Sequence, residues 1–139
     1  MDLRDVDRCP CLGGEAYGEC CGRFHAALRD GSRREGAWPA TAEALMRSRY
    51  SAFAVGDVEY LLASWHPSTR PAELELDAEL QWRRLDIVGT AAGGPFDAEG
   101  VVEFAAHYRG PGGRGVQRER SRFRREDGRW LYLDGDAED

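Results

Sequence analysis

Four cysteines fall between Cys9 and Cys21, in the pattern CPCLGGEAYGECC. In a reducing compartment such a cluster more often ligates metal or does redox chemistry than forms disulfides. The C-x-C pair can grip a tetrahedral ion from one turn, and Gly13, Gly14 and Gly18 let the chain fold back to bring Cys20 and Cys21 to it. Four thiolates at about 2.3 Å make a closed, structural zinc shell with no open position for a substrate. His25, four residues after Cys21, is an alternative ligand to one thiolate, and free or disulfide-paired cysteines are the other alternative.

The second chemically unusual residue is Arg49. At 100° per residue, Ala42, Leu45, Met46, Tyr50 and Phe53 share one arc of a helix, and Arg49 falls inside that arc. A guanidinium aimed at a core must meet a carboxylate, a ring of carbonyls or a ligand, because burying it unpaired is costly. The expected partner is Glu119, in a charge-assisted hydrogen bond close to Tyr132. Glu103 is the second carboxylate considered for the sheet interior. His66, Thr69 and Arg70 are placed at the mouth of the same pocket, with Ser121, Phe123 and Tyr132 among its walls. Aromatic walls with a few polar groups are how small-molecule pockets are lined.

The elements that must position these groups follow from punctuation. Thr41 is an N-cap with Glu43 in the first turn, Gly56 ends the helix, and Asp57 caps a second one carrying Val58, Leu61, Leu62 and Trp65. Pro67 stops that helix, and Pro71 starts a short helix over residues 72–79. From Leu80 the pattern becomes strand-like, near 80–91, 99–109, the arginine-rich run 117–124 and a last strand RWLYLD, with Asp127-Gly128 as a hairpin turn. The turn sets Phe123 opposite Tyr132 and Arg125 opposite Trp130, which leaves Leu131 and Leu133 on the arginine face and requires either a cover over that face or a different register. Helices followed by strands argue for an α+β fold.

At 139 residues with 42% hydrophobic and 32% charged residues, the chain reads as one globular body with a small appended module. All 19 basic residues are arginine, yet the formal charge is −6, which argues against non-specific nucleic-acid binding. Arg118, Arg120, Arg122 and Arg124 then read as a solvent face. No apolar run approaches the roughly 18 residues of a membrane span, and MDLRDVDRCPCLGG lacks the apolar stretch of a signal peptide, so a cytoplasmic location is expected.

The spacing C-P-C-x8-C-C resembles the SEC-C motif, the zinc hook at the end of the SecA translocase ATPase. Together with LMRSRYSAF, WHPSTRP, ERSRF and EDGRWLYLDG, it resembles the YchJ-type family of bacterial proteins, from Cys9 to Gly135. The resemblance implies a nuclear-transport-factor-two-like (cystatin-like) middle domain, a cone of short helices on a curved antiparallel sheet, and a hook that binds protein. Many members carry a second hook after the cone, and this sequence has one cysteine cluster. The expected organisation is a hook over residues 1–25, a linker over 26–40 and a cone over 41–139. So short a hook has little core of its own, so metal loss is expected to unfold it and leave the cone intact. The leading functional expectation is a zinc-hook protein-interaction module on a pocket-bearing cone. The alternatives are a small-ligand carrier or an enzyme pairing Glu119 or Glu103 with His66 or His107.

Overall fold

The cap and stop residues act as their types require. A computed structural model describes residues 4–138. In it the Thr41 side chain accepts from the Ala44 N–H at 3.0 Å, and helix α2 runs Ala42–Val55. Gly56, left-handed at φ 80°, ends it, and Asp57 accepts from the Tyr60 N–H to open α3, Val58–Ala63. Helix α3 stops before Trp65, earlier than the apolar spacing implies. The chain turns there to join the sheet: the His66 N–H donates to Tyr132 O at 2.7 Å and the Tyr132 N–H to Ser64 O at 2.8 Å.

Residues 72–79 form no helix. Leu74 and Leu76 both pack on a small cluster made by Phe24, Ala52, Tyr60 and Leu61. Two anchors separated by one residue reach one surface from an extended chain, whereas a helix would turn them roughly 200° apart.

Strands β1 (Gln81–Ala92), β2 (Glu99–Gly110), β3 (Gly113–Glu126) and β4 (Arg129–Glu138) form an antiparallel sheet in chain order, which makes the fold α+β. Asp127 and Gly128, at φ 52° and 78°, are the two-residue turn, and Phe123 faces Tyr132 and Arg125 faces Trp130 as expected. The puzzle of Leu133 is resolved by a bulge. Phe123 pairs with Tyr132 but Arg122 pairs with Asp134, so Leu133 is the extra residue. Beyond it the side chains of β4 change sides. Asp134 and Asp136 now meet Arg122 on the outer face, and Gly135 comes to the inner one opposite Ser121.

Helix α2 lies on the inner face, where Leu45, Met46 and Tyr50 pack with Val102, Phe104, Phe123 and Trp130. Its first turn sits where two backbones meet. The Ala42 N–H donates to Gly93 O, and a Cβ on Gly100 would lie 2.5 Å from Gly93 Cα and 3.1 Å from Ala42 Cβ.

The cysteine segment is continuous with this core. Cys9, Cys11, Tyr17 and Cys21 belong to the same buried cluster as Leu45 and Trp130. Helix α1 (Cys21–Arg29) begins at the last cysteine and crosses from hook to linker. The linker is pinned by two tryptophans: Trp38 Nε1–H donates to Trp130 O at 2.8 Å, and Trp130 Nε1–H to Ala40 O at 3.2 Å. Among the described residues no helix is long and apolar enough to cross a membrane.

Candidate metal centre and polar cavity

The four sulfurs of Cys9, Cys11, Cys20 and Cys21 lie within 4.8 Å of one another, with all but Cys20 buried. Cys11 and Cys20 Sγ are 3.6 Å apart and Cys20 and Cys21 Sγ 4.0 Å apart. A tetrahedral ion bound to four thiolates at about 2.3 Å has sulfur–sulfur edges of roughly 3.8 Å, so the arrangement fits such an ion. Bonds from Cys11 and Cys21 drive the Cys9 thiol down. Cys21 is driven up by its bonds to Cys11 and Cys9, and Cys20 is pushed up by burial to about 12. Crowded thiols that cannot all ionise alone are what a divalent cation stabilises as thiolates.

Helix α2 supports this centre from beneath. Ser51 Oγ is 3.4 Å from Cys9 Sγ, and Arg47, paired with Glu43, donates from Nη1 to Cys11 O at 2.9 Å. His25 is not part of the cluster. It is fully buried, its Nε2 lies 2.9 Å from Ser48 O and its Nδ1 2.6 Å from Tyr17 OH. The carbonyl can only accept, so Nε2 carries the proton and Nδ1 accepts from Tyr17. Both ring nitrogens are therefore used in fastening the hook to α2.

Burial lowers the His25 pKa below 6.5, against the Ser48 hydrogen bond and the Asp57 charge, which raise it, with Arg29 acting to lower it. The folded chain thus disfavours the proton that the unfolded chain accepts. Stability is full above about pH 6.5 and falls as pH drops from there towards the lowered folded pKa. Substituting His25→Gln is expected to remove that component, so the difference in stability between wild type and variant should shrink as pH falls below 6.5. Chemical denaturation of both proteins at matched metal loading from pH 7.5 to 5 measures it. A constant difference would overturn the account.

Beneath α2 lies a cavity of about 210 Å³, walled by Met46, Phe53, Trp82, Phe104 and Ala106 and carrying Arg49, Tyr50, Trp65, Gln117, Glu119, Ser121 and Tyr132. Arg49 is buried in the core as its helical position requires, but it does not bond Glu119. Its Nη1 donates to Leu61 O at 2.8 Å and to Ser64 Oγ at 2.7 Å, and its guanidinium lies over the rings of Tyr132 and Trp65, at 4.6 and 5.1 Å. Tyr132 stands in between. Its hydroxyl donates to Glu119 Oε1 at 2.8 Å, beside a second donor, Ser121 Oγ, also at 2.8 Å. Desolvation holds Arg49 down, to about 10, while Tyr132, Tyr60 and Glu119 favour its charge. The carboxylate has room only because residue 135 is glycine: a Cβ there would fall on Glu119 Oε1.

Of the expected pocket residues, Arg49, Glu119, Ser121 and Tyr132 come together and Phe123 packs edge-on behind Tyr132. His66, Thr69 and Arg70 do not line the cavity. They fasten the loop instead, Thr69 Oγ1 to Leu133 O and Arg70 by two bonds to Trp65 O. His66 Nδ1 accepts from Ser68, leaving the proton on Nε2, which is 2.9 Å from Glu126 Oε2 but off the line of a hydrogen bond. Glu103 alternates with buried Val102 and Phe104 and so leaves from the outer face. His107 leaves from that face too, where it pairs with Asp86 at 2.9 Å. Neither histidine approaches Glu119 in the way an acid–base pair there requires. Within the arginine stripe, Arg122 is met by acids, bonding both Asp134 and Asp136. Tyr50, Trp65 and Trp82 are cavity residues that periodicity assigns only to the core.

The middle NTF2-like domain of YchJ matches residues 41–135, which are α2, α3 and the four strands almost to the chain's end. The chain belongs to the YchJ family. A UPF0225 protein of Corynebacterium glutamicum is 53% identical over 132 residues, spanning 94% of this chain and 98% of that one. One from Streptomyces coelicolor is 52% identical over 128 residues, spanning 92% and 94%. Two solved structures of SEC-C motif containing proteins share the fold. One, from Rhodopseudomonas palustris, superposes with TM-score 0.76 at 33% identity over 95% of this chain and 99% of that one. The other, from Psychrobacter arcticus, gives 0.75 at 27% over 94% and 82%. Each of these likenesses covers more than nine-tenths of this chain, and so reaches beyond residues 41–135.

Proposed function

We propose that this chain is a protein-binding adaptor whose recognition element is the zinc-organised knuckle around Cys9 and Cys11. The observation that carries the reading is Leu12. It follows a buried ligand cysteine, stands in the left-handed region at φ 58°, and is 41% exposed. The Leu12 N–H closes the cysteine loop on Cys9 O at 3.0 Å. The turn presents a partly exposed apolar side chain where the residues tolerant of this conformation are mostly polar or glycine, and such strain gathers at functional sites. Val6, 75% exposed, is a second apolar side chain of this segment left in solvent. Zinc suits four thiolates, and a shell filled by protein leaves the ion a structural part, consistent with a surface that binds rather than catalyses. The resemblance to the SecA hook supports a protein partner.

The test uses Leu12→Asn, because asparagine accepts the left-handed region readily and removes the apolar side chain. The variant is expected to fold and bind zinc at least as well as wild type, checked by elemental analysis and thermal melting. It should nevertheless lose the protein that wild type captures stoichiometrically from its native cytoplasm. Undiminished capture by the zinc-loaded variant would overturn the knuckle as the recognition element.

A further inference from the structure

The cavity beneath α2 contains hydrogen-bond donors that the fold leaves unused. Tyr50 is 2% exposed, and among the described residues its hydroxyl has no partner; Trp65 Nε1 is buried and equally without one. Both residues line the cavity. Arg49 is 4% exposed, both of its hydrogen bonds leave from Nη1, and among the described residues it takes part in no ion pair within 4.0 Å. Nε and Nη2 thus make no hydrogen bond among the described residues, and the same cavity holds two buried neutral donors without one. Natural cores rarely leave buried donors unmatched, and a group of them around one space has a ligand's acceptors as its natural explanation.

Size and walls narrow the class. An apolar cavity of about 150 Å³ admits benzene. This one, of about 210 Å³, has room for a ring and one small substituent. Its walls are Phe53, Trp82 and Phe104, aromatic surfaces suited to stacking or edge contact with a planar ring. Charge narrows it further. Glu119 accepts from Ser121 and Tyr132 at Oε1 alone, and Arg49 rests on two aromatic faces with no carboxylate within ion-pair distance among the described residues. The unmet demand at the arginine end of the cavity is for an anion.

We propose that the cavity binds a small planar carboxylic acid of one ring, its carboxylate held by Arg49 and Trp65 and its ring among Phe53, Trp82 and Phe104. Guanidinium and carboxylate match in geometry as well as charge, so the head group contributes both affinity and orientation. Glu119 holds Tyr132 under the guanidinium and so keeps Arg49 facing the space.

The probe is benzoate, titrated calorimetrically into the zinc-loaded full chain, with benzamide and benzylamine as the neutral and cationic versions of the same body. Benzoate is expected to bind at least about tenfold more tightly than either, as one charge-assisted pairing allows. Substituting Arg49→Met should abolish that preference. Because that position is buried, Trp65→Phe serves as a second variant that removes one donor and keeps a ring. It should weaken benzoate several-fold and leave benzamide less affected. Absence of benzoate binding at ten millimolar by folded wild type would overturn the proposal. So would equal binding of benzoate and benzamide, preference for benzylamine, or undiminished benzoate binding by both variants.

Discussion

Replacing Cys20 and Cys21 together by serine is expected to destabilise the whole chain, not the hook alone. Structural zinc sites carry on the order of 10 kcal/mol of folding free energy, and a domain of this size has about 5–15 kcal/mol in total. If the hook stood apart, its loss would leave the cone's stability within about 1 kcal/mol. The packing says otherwise. Cys9, Cys11 and Cys21 share one core with Leu45, Met46 and Trp130. His25 bonds Ser48 O, Arg47 bonds Cys11 O, and Cys9 touches Ser51, all along α2. Releasing the hook therefore uncovers one side of the helix that roofs the cavity. The loss should reach at least about 4 kcal/mol, read as a single cooperative transition shifted to lower denaturant. Amide exchange should accelerate in Leu45–Ala52 as well as in residues 9–25. Unchanged protection of α2 in the metal-free variant would show a separable hook and overturn the shared-core account. Chelation of the wild type gives the same comparison without substitution.

The sequence carried the local decisions well, because caps, glycines and a two-residue turn act through the nearest few residues. Thr41, Gly56, Asp57 and Asp127-Gly128 are of this kind, and so is the cysteine spacing, whose sulfurs need only a folded-back segment to meet. The misreadings came where a distant surface decides. Leu74 and Leu76 stay extended because a cluster of Phe24 and Tyr60 receives them, and nothing within residues 72–79 announces that cluster. The bulge at Leu133 is another case. Simple alternation from Tyr132 would place Asp134 inside the cone, and one extra residue carries it to Arg122 instead. That same displacement delivers Gly135 to the inner face, where its missing side chain makes space for Glu119. Arg49 was legible as an anomaly, but its partners were not. Stacking on Tyr132 and Trp65 depends on a loop that returns to β4, and no periodicity encodes it.

Truncating that arginine is the second large effect expected. Arg49→Ala removes a side chain that fills space against two aromatic rings and satisfies Leu61 O and Ser64 Oγ, and large-to-alanine changes in cores cost about 3–5 kcal/mol. Arg49→Met should cost far less, within about 1–2 kcal/mol. Methionine keeps most of the volume, and the penalty of holding a cation out of water disappears with the charge. The gap between the two variants, measured by chemical denaturation, separates space filling from charge. Coupling to Glu119 then tests the geometry. A direct buried ion pair would show several kcal/mol of interaction in a cycle of Arg49→Met, Glu119→Gln and the double variant, since each single change strands a charge. With the Tyr132 ring interposed, and Oε1 held by two hydroxyls, the interaction energy should stay below about 1 kcal/mol. Tyr132→Phe supplies the contrasting case. It removes the hydroxyl that bonds Glu119 and keeps the ring under the guanidinium, so it should couple strongly to Glu119→Gln and weakly to Arg49→Met. A large Arg49–Glu119 coupling, or the reverse order among these pairs, would mean that the two charges meet directly and that the tyrosine does not separate them.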